Sequence, residues 1–231
     1  MKLEKNLEER KSIKEALSIN YSVSMYKKKI VYSFFKRLID IVASLLALIL
    51  LSWLFLILFC IVPISVKASP LFFHERVGKN GKMIKVLKFR SMKKDDRPLE
   101  EILTKEQLEE YKKEYKITND PRVTKFGNFL RKTSLDELPQ LINILIGNMS
   151  IVGWRPIITE ELERYGELAE LLTKIKPGLT GYWASHGRSI VDYDKRIKME
   201  LYYCVKRSFW LDVRIIWHTF IRVLFERGEA K

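Results

Sequence analysis

The most pronounced pattern in the chain is one long apolar run. From Ile41 to Val66 no residue carries a charge, and Leu, Ile, Val and Phe dominate. A membrane helix needs about 20 such residues, and a buried core helix seldom runs as long, so the segment reads as a membrane anchor. As one straight helix these 26 residues would measure about 39 Å against a hydrocarbon layer of about 30 Å. That excess fits either a tilted span or a segment that bends, with Ser44, Ser52 and Pro63 as the interruptions.

Beyond the anchor the pattern shortens. Phe72, Phe73 and the stretch from Met83 to Phe89 surround Gly78 and Gly81, which predicts a small β hairpin. A charged helical pattern over 99–116 stops at Asn119-Asp120-Pro121. Further helices are predicted over 124–131, 136–146, 159–174 and 192–205, with Gly147, Gly153, Pro156, Pro177, Gly178, Gly181 and Gly187 between them. Apolar and aromatic residues recur at helical spacing from Phe209 to Phe225. That stretch fits either a helix lying in a membrane interface or one packed on the core. The expected fold is therefore mostly α with a small β hairpin. Its expected divisions are a polar N-terminal extension (1–32), a membrane anchor (33–66) and a compact cytosolic domain (67–231). The first thirty residues lack the apolar core of a cleavable leader and suit a polar helix or a loose segment.

Charge sharpens the topology. Forty-two Lys and Arg against 28 Asp and Glu give a net charge of +14, which calls for an anionic partner: nucleic acid, acidic lipid or a phosphate-bearing substrate. Basic residues flank the anchor on both sides: Lys27, Lys28, Lys29, Lys36 and Arg37 before it, and Lys67, Arg76, Lys79, Lys82, Lys85, Lys88 and Arg90 after it. Such clusters prefer the cytoplasm, so an anchor that enters and leaves on the same side satisfies both. No nucleic-acid motif accompanies the charge, which excludes a nucleic-acid partner from the reading. Cys60 and Cys204 are far apart, form no metal-spaced cluster and read as reduced, structural residues.

The candidate chemistry lies in Arg131-Lys132-Thr133-Ser134-Leu135-Asp136-Glu137-Leu138-Pro139. Locally this is a helix start: Ser134 and Glu137 match a capping box, and Pro139 suits a first turn capped by Asp136. It also has a functional reading. Two adjacent acids can hold a divalent cation while one remains free to attack phosphorus. Arg131 and Lys132 can balance a diphosphate, and a helix N-terminus favours anions.

The chain resembles the bacterial sugar transferase family, the monotopic polyprenyl-phosphate phosphoglycosyl transferases. The resemblance rests on Phe35-Lys36-Arg37-Leu38-Ile39-Asp40, Lys88-Phe89-Arg90-Ser91-Met92, Asp120-Pro121-Arg122-Val123-Thr124, the run Leu130 to Leu141, the run Gly147 to Pro156, Lys176-Pro177-Gly178-Leu179-Thr180-Gly181 and Gly187-Arg188-Ser189. It covers residues 33–227. The resemblance implies a re-entrant membrane helix, C-terminal interfacial helices, a catalytic domain facing the cytoplasm at a bacterial inner membrane, and Mg²⁺. It implies a ping-pong reaction in which Asp136 attacks the sugar-bearing phosphate of a UDP-sugar, UMP leaves, and undecaprenyl phosphate takes the phosphosugar. Glu137 would bind Mg²⁺ with Asp136, and Lys88 would sit beside them. Arg131, Arg155 and Arg188 would contact phosphates or the nucleotide, with Pro156 and Arg90 also beside the substrate. The expected partners are the UDP-sugar, undecaprenyl phosphate, membrane lipids and glycosyltransferases acting downstream on a surface glycan. The alternative is a membrane-tethered basic binding protein without catalysis.

Three positions depart from the family pattern. Ser52-Trp53 stands where Ser-Pro is frequent, and Gly153-Trp154-Arg155-Pro156 where Gly-Pro-Arg-Pro is common. The stretch Tyr182 to His186 lacks a customary Gln. The last two loops are expected to border the nucleotide sugar, which leaves the sugar open. His186 reads either as a substrate contact or as an ordinary loop histidine.

Overall fold

A computed structural model describes residues 13–115, 117, 119–186 and 192–225. The apolar run forms two helices, α1 (Ile30–Leu50) and α2 (Ser52–Val66), bent by 64° at Leu51. Among the described residues no single helix is long and apolar enough to cross a membrane; the bent pair passes that test together. No proline makes the bend, since Pro63 lies well inside α2. Packing does. The polar side chains of α1 are pinned to the domain: Arg37 donates to Ile144 O at 2.5 Å and Leu145 O at 2.7 Å, and Asp40 Oδ1 accepts from Ile151 N at 3.0 Å. Lys36 Nζ and the Tyr32 hydroxyl both reach Asp212 Oδ2, at 2.9 and 2.7 Å. The apolar face of α2, Leu58, Val62 and Val66, instead packs on Phe89 and Leu130. Two docking faces pointing in different directions require the chain to turn between them.

Much of both helices stays uncovered. Leu50 and Leu56 are each 70% exposed and Ile64 79%. Ile142 and Ile146 extend this apolar surface on a neighbouring helix. The C-terminal helix Phe209–Phe225 packs on the core through Ile215, which is fully buried, whereas Trp210, Trp217 and Phe220 are exposed. A contiguous apolar surface of this kind needs a covering partner.

The hairpin consists of β1 (Leu71–Val77) and β2 (Met83–Phe89), antiparallel, with Phe72 opposite Lys88, His74 opposite Val86 and Arg76 opposite Ile84. Its turn uses Asn80 and Gly81 at φ +56° and +74°. Helix α3 (Lys105–Glu114) starts with a complete capping box from Thr104 and Gln107. Helix α4 (Lys125–Thr133) is capped by the Thr124 hydroxyl.

The expected helix over 136–146 is divided. Ser134 takes φ +57° at the end of α4 and makes no side-chain cap bond, so the Ser134–Glu137 capping box does not form. Leu135–Glu137 is a single 3₁₀ turn, and α5 (Gln140–Ile146) begins after Pro139. The expected helix over 159–174 likewise divides into α6 (Thr159–Glu163) and α7 (Ala169–Thr173), around Gly166 at φ +52°. Short α8 (Tyr182–His186), α9 (Tyr193–Lys206) and α10 (Phe209–Phe225) complete the chain.

A second sheet was not foreseen. β3 (Ser150–Val152) pairs in parallel with β4 (Gly178–Thr180). A Cβ on Gly178 would lie 2.1 Å from Gly153 N, so only glycine permits this approach of the two backbones. Residues 13–18 are helical, and the segment that follows packs on α9, with Ala16 and Tyr21 buried in the main core beside Tyr202 and Cys204. Both cysteines are unpaired: Cys204 is buried, whereas Cys60 is exposed on α2.

Candidate active site

The 3₁₀ turn carrying Asp136 and Glu137 is fixed on both sides. Leu135 packs toward Leu130 and Phe89, and Leu138 bridges that cluster to the one around Val86 and Ile144. The two acids are thus presented from a short apolar clamp rather than from a helix cap. Asp136 is 8% exposed.

Lys88 arrives from the hairpin. Its Nζ lies 2.9 Å from Glu137 Oε1. The strand carrying it is held at its outer edge by one side chain: Asn143 Oδ1 accepts from Leu87 N at 2.9 Å, and its Nδ2 donates to Lys85 O at 2.7 Å. An edge strand presents unpaired backbone groups, and here the amide of α5 satisfies them as a neighbouring strand would.

These contacts set the electrostatics. Burial, and then the charge of Glu137, push the Asp136 carboxyl up to about 6, against the opposing pull of Lys88 and Arg131. The dyad behaves as an interacting pair of acids with one member strongly desolvated. Arg131 donates through Nε to Ser91 Oγ at 2.9 Å and is itself lowered by burial. Nearby, Arg122 grips both oxygens of Asp120, at 3.0 and 2.7 Å, which holds the loop before α4.

A cleft opens beside the dyad, on its Glu137 side. Lys88 and Glu137 line it at one end, and Arg155, Pro156 and Trp183 line it elsewhere. The exposed Arg155 guanidinium stands 5.9 Å from the centre of the Trp183 ring, and its backbone N–H donates to Glu200 at 3.3 Å. Glu200 belongs to a buried network: the Tyr165 hydroxyl donates to it, and Arg196 lies 3.4 Å from it and 3.3 Å from Glu161.

The structure thus brings Glu137, Lys88, Arg155 and Pro156 around one cleft, with Asp136 buried next to Glu137 and Arg131 near it. Arg90 is not among them: it points away, donating to Ser69 O at 3.1 Å and stacking 5.2 Å from the Phe72 ring. Arg188 lies outside the described residues. His186 is packed, not presented to the cleft; its ring stacks 4.4 Å from Tyr182 and 4.7 Å from His218, and burial pushes its imidazole down to about 3. Trp154 is fully buried and donates to Ile175 O at 3.1 Å, so this departure from the family pattern fills the core. Trp183, the other departure, does line the cleft. Sequence reading missed Arg76, which also lines it; its position beside the apolar run made it read as a membrane flank. Alternation along the hairpin, which puts residues 76, 86 and 88 on one face, was the available signal.

A profile of the bacterial sugar transferase family matches residues 31–226. The chain belongs to that family. It is 43% identical over 197 residues to an exopolysaccharide production protein, ExoY, of Rhizobium meliloti, a match covering 84% of this chain and 87% of the relative. It is 42% identical over 201 residues to an undecaprenyl-phosphate galactose phosphotransferase of Salmonella typhimurium, covering 85% of this chain and 42% of the relative. With a UDP-glucose:undecaprenyl-phosphate glucose-1-phosphate transferase of Escherichia coli it shares 41% identity over 196 residues, covering 80% of this chain and 39% of the relative. The chain therefore spans less than half the length of the latter two relatives.

Proposed function

We propose that the protein transfers a sugar-1-phosphate from a UDP-sugar to undecaprenyl phosphate at the cytoplasmic face of a bacterial membrane, beginning a surface glycan. The observation that carries this reading is the buried Asp136 beside the Lys88–Glu137 pair, at the edge of a cleft lined by further basic groups. The activities that the Salmonella and Escherichia relatives are named for support it.

In this reading a carboxylate oxygen of Asp136 attacks the sugar-bearing phosphorus of the donor. The bond from that phosphorus to the bridging oxygen breaks, and the oxygen leaves with its electron pair on UMP. A phosphate oxygen of undecaprenyl phosphate then attacks the aspartyl phosphosugar and frees Asp136. Lys88 holds Glu137 and offsets negative charge at the dyad, favouring the ionised nucleophile. Arg155 faces the cleft as a two-pronged donor for donor oxygens. The adjoining acids fit a Mg²⁺ ion: they are hard oxygen ligands, and the mutual charge that raises Asp136 is what a divalent cation relieves. Asp136 and Glu137 would hold it, and it would neutralise diphosphate charge.

The exposed apolar surface of the bent pair and α10 supports a monotopic reading, in which α1 and α2 enter and leave the membrane on one side. Basic flanks on both sides of the pair agree with it. The lipid product would pass to a glycosyltransferase that extends the glycan. A non-catalytic tether does not account for a desolvated carboxyl next to a Lys88–Glu137 pair that lines a cleft. The test is UMP release by purified protein given undecaprenyl phosphate and a panel of UDP-sugars. Release with at least one donor, dependent on the lipid phosphate, is expected; no release with any of them contradicts the proposal.

A further inference from the structure

Arg76 lines the cleft half-buried, with little protein to satisfy its charge. Its hydrogen bond among the described residues is Nη2 to His74 Nδ1, at 3.1 Å, and none of the ion pairs there includes it. A guanidinium carries five donors. Burial, together with the like charges of Arg155 and Arg196, pushes it down to about 10, with Glu161 pulling the other way. A half-buried arginine so placed is short of an anion.

Its position says which anion. Arg76 and Lys88 lie on the same face of the hairpin, four residues apart along the ladder, or about 14 Å between backbones. Lys88, with the dyad, is at the end that joins α2, where Arg90 N bonds to Pro70 O at 2.8 Å. Arg76 is at the opposite end. There Val77 N donates to Ile157 O at 2.9 Å, which ties the strand to the loop of Arg155 and Pro156. An in-line displacement places the leaving group opposite the attacking oxygen. Asp136 attacks from the dyad end, so the departing group points toward the far end, where Arg76 stands.

We infer that Arg76, with Arg155, binds the phosphate that leaves on the nucleoside monophosphate, and so stabilises charge on the departing oxygen. This deepens the donor reading above and rests on it. The Arg76 fork takes two of that phosphate's oxygens.

The test is direct binding of UMP and of uridine to the full-length protein in lipid nanodiscs, by titration calorimetry, for the wild type, Arg76→Met and Arg76→Lys. Arg76→Met is expected to weaken UMP by about tenfold or more while leaving uridine unchanged, since a charge-assisted phosphate contact is lost. Arg76→Lys, which keeps the charge without the fork, is expected to fall between them and serves alone if Arg76→Met does not fold. An equal loss for UMP and uridine makes Arg76 a structural residue and overturns the inference, as does unchanged UMP affinity. A wild-type protein that binds neither UMP nor UDP-sugars brings down the donor reading itself. Normal donor binding with unaffected Arg76 variants brings down this inference alone.

Discussion

Lys88 Nζ lies 2.9 Å from Glu137 Oε1, and both side chains are about three-quarters or more buried, at 24% and 20% exposure. The pair joins the hairpin to the turn that carries Asp136. It also sets the charge that Asp136 experiences, since Lys88 lowers the carboxyl that burial and Glu137 raise. Replacing Lys88 by Met is expected to reduce kcat/KM by about a hundredfold, the usual cost of removing one preorganised cation or donor. It should also move the acid limb of the pH profile upward, because the ionised nucleophile loses a stabilising charge. Steady-state UMP release across pH checks both; a lowered rate with an unmoved limb would assign Lys88 a purely structural part.

The wild-type pH dependence follows from the same geometry. A carboxyl raised to about 6 in the fold from 3.8 is protonated, and a poor nucleophile, in mildly acidic solution. The kcat/KM for the free enzyme should therefore rise with pH through about 6 and then level. The stability term has the opposite sense. A raised acid favours the fold fully below 3.8, and that contribution is lost as pH rises through about 6. Asp136→Asn should remove this loss, so the melting temperature of the variant relative to wild type should increase from pH 4 to pH 7. A difference that does not vary with pH would show that Asp136 has an ordinary carboxyl.

Asn143 gives a structural test that leaves the charges in place. Truncation to Ala leaves Leu87 N–H and Lys85 C=O without the amide that now satisfies them. The expected cost is about 2–3 kcal/mol, from two lost hydrogen bonds and the exposed strand edge. Chemical denaturation would measure it, and a change near zero would show that the edge is satisfied otherwise.

What could be read from sequence depended on distance along the chain. The Thr104, Thr124 and Asp192 caps are local, and the helices they open lie close to where spacing put them. Ser134 fits a cap equally well by pattern, but the end of α4 turns the chain through a left-handed residue there, which local spacing does not encode. The β3–β4 ladder joins Ser150 to Gly178 across two three-residue segments, too short and too distant to leave a periodic signal. Asp136 and Glu137 had a helix-cap pattern; surrounding motifs, rather than their own spacing, marked them as chemistry. Arg76 was legible only once strand alternation placed it on the face of Lys88.

The membrane reading has its own test. In a Cys60→Ser background, where buried Cys204 remains, one cysteine added at Ser18 or at Lys105, both exposed, should resist a membrane-impermeant reagent in intact cells and label once the membrane is opened. Labelling of Ser18→Cys from outside would make α1 and α2 a conventional span.

The most direct test of the account is capture of the covalent intermediate. Purified protein is mixed with the UDP-sugar it turns over, without lipid acceptor, then quenched and weighed intact by mass spectrometry. The account predicts an added mass equal to one sugar phosphate, mapped to the peptide containing Asp136, discharged by undecaprenyl phosphate and missing from Asp136→Asn, which should be inactive. Steady turnover without any adduct, or robust turnover by Asp136→Asn, would contradict it.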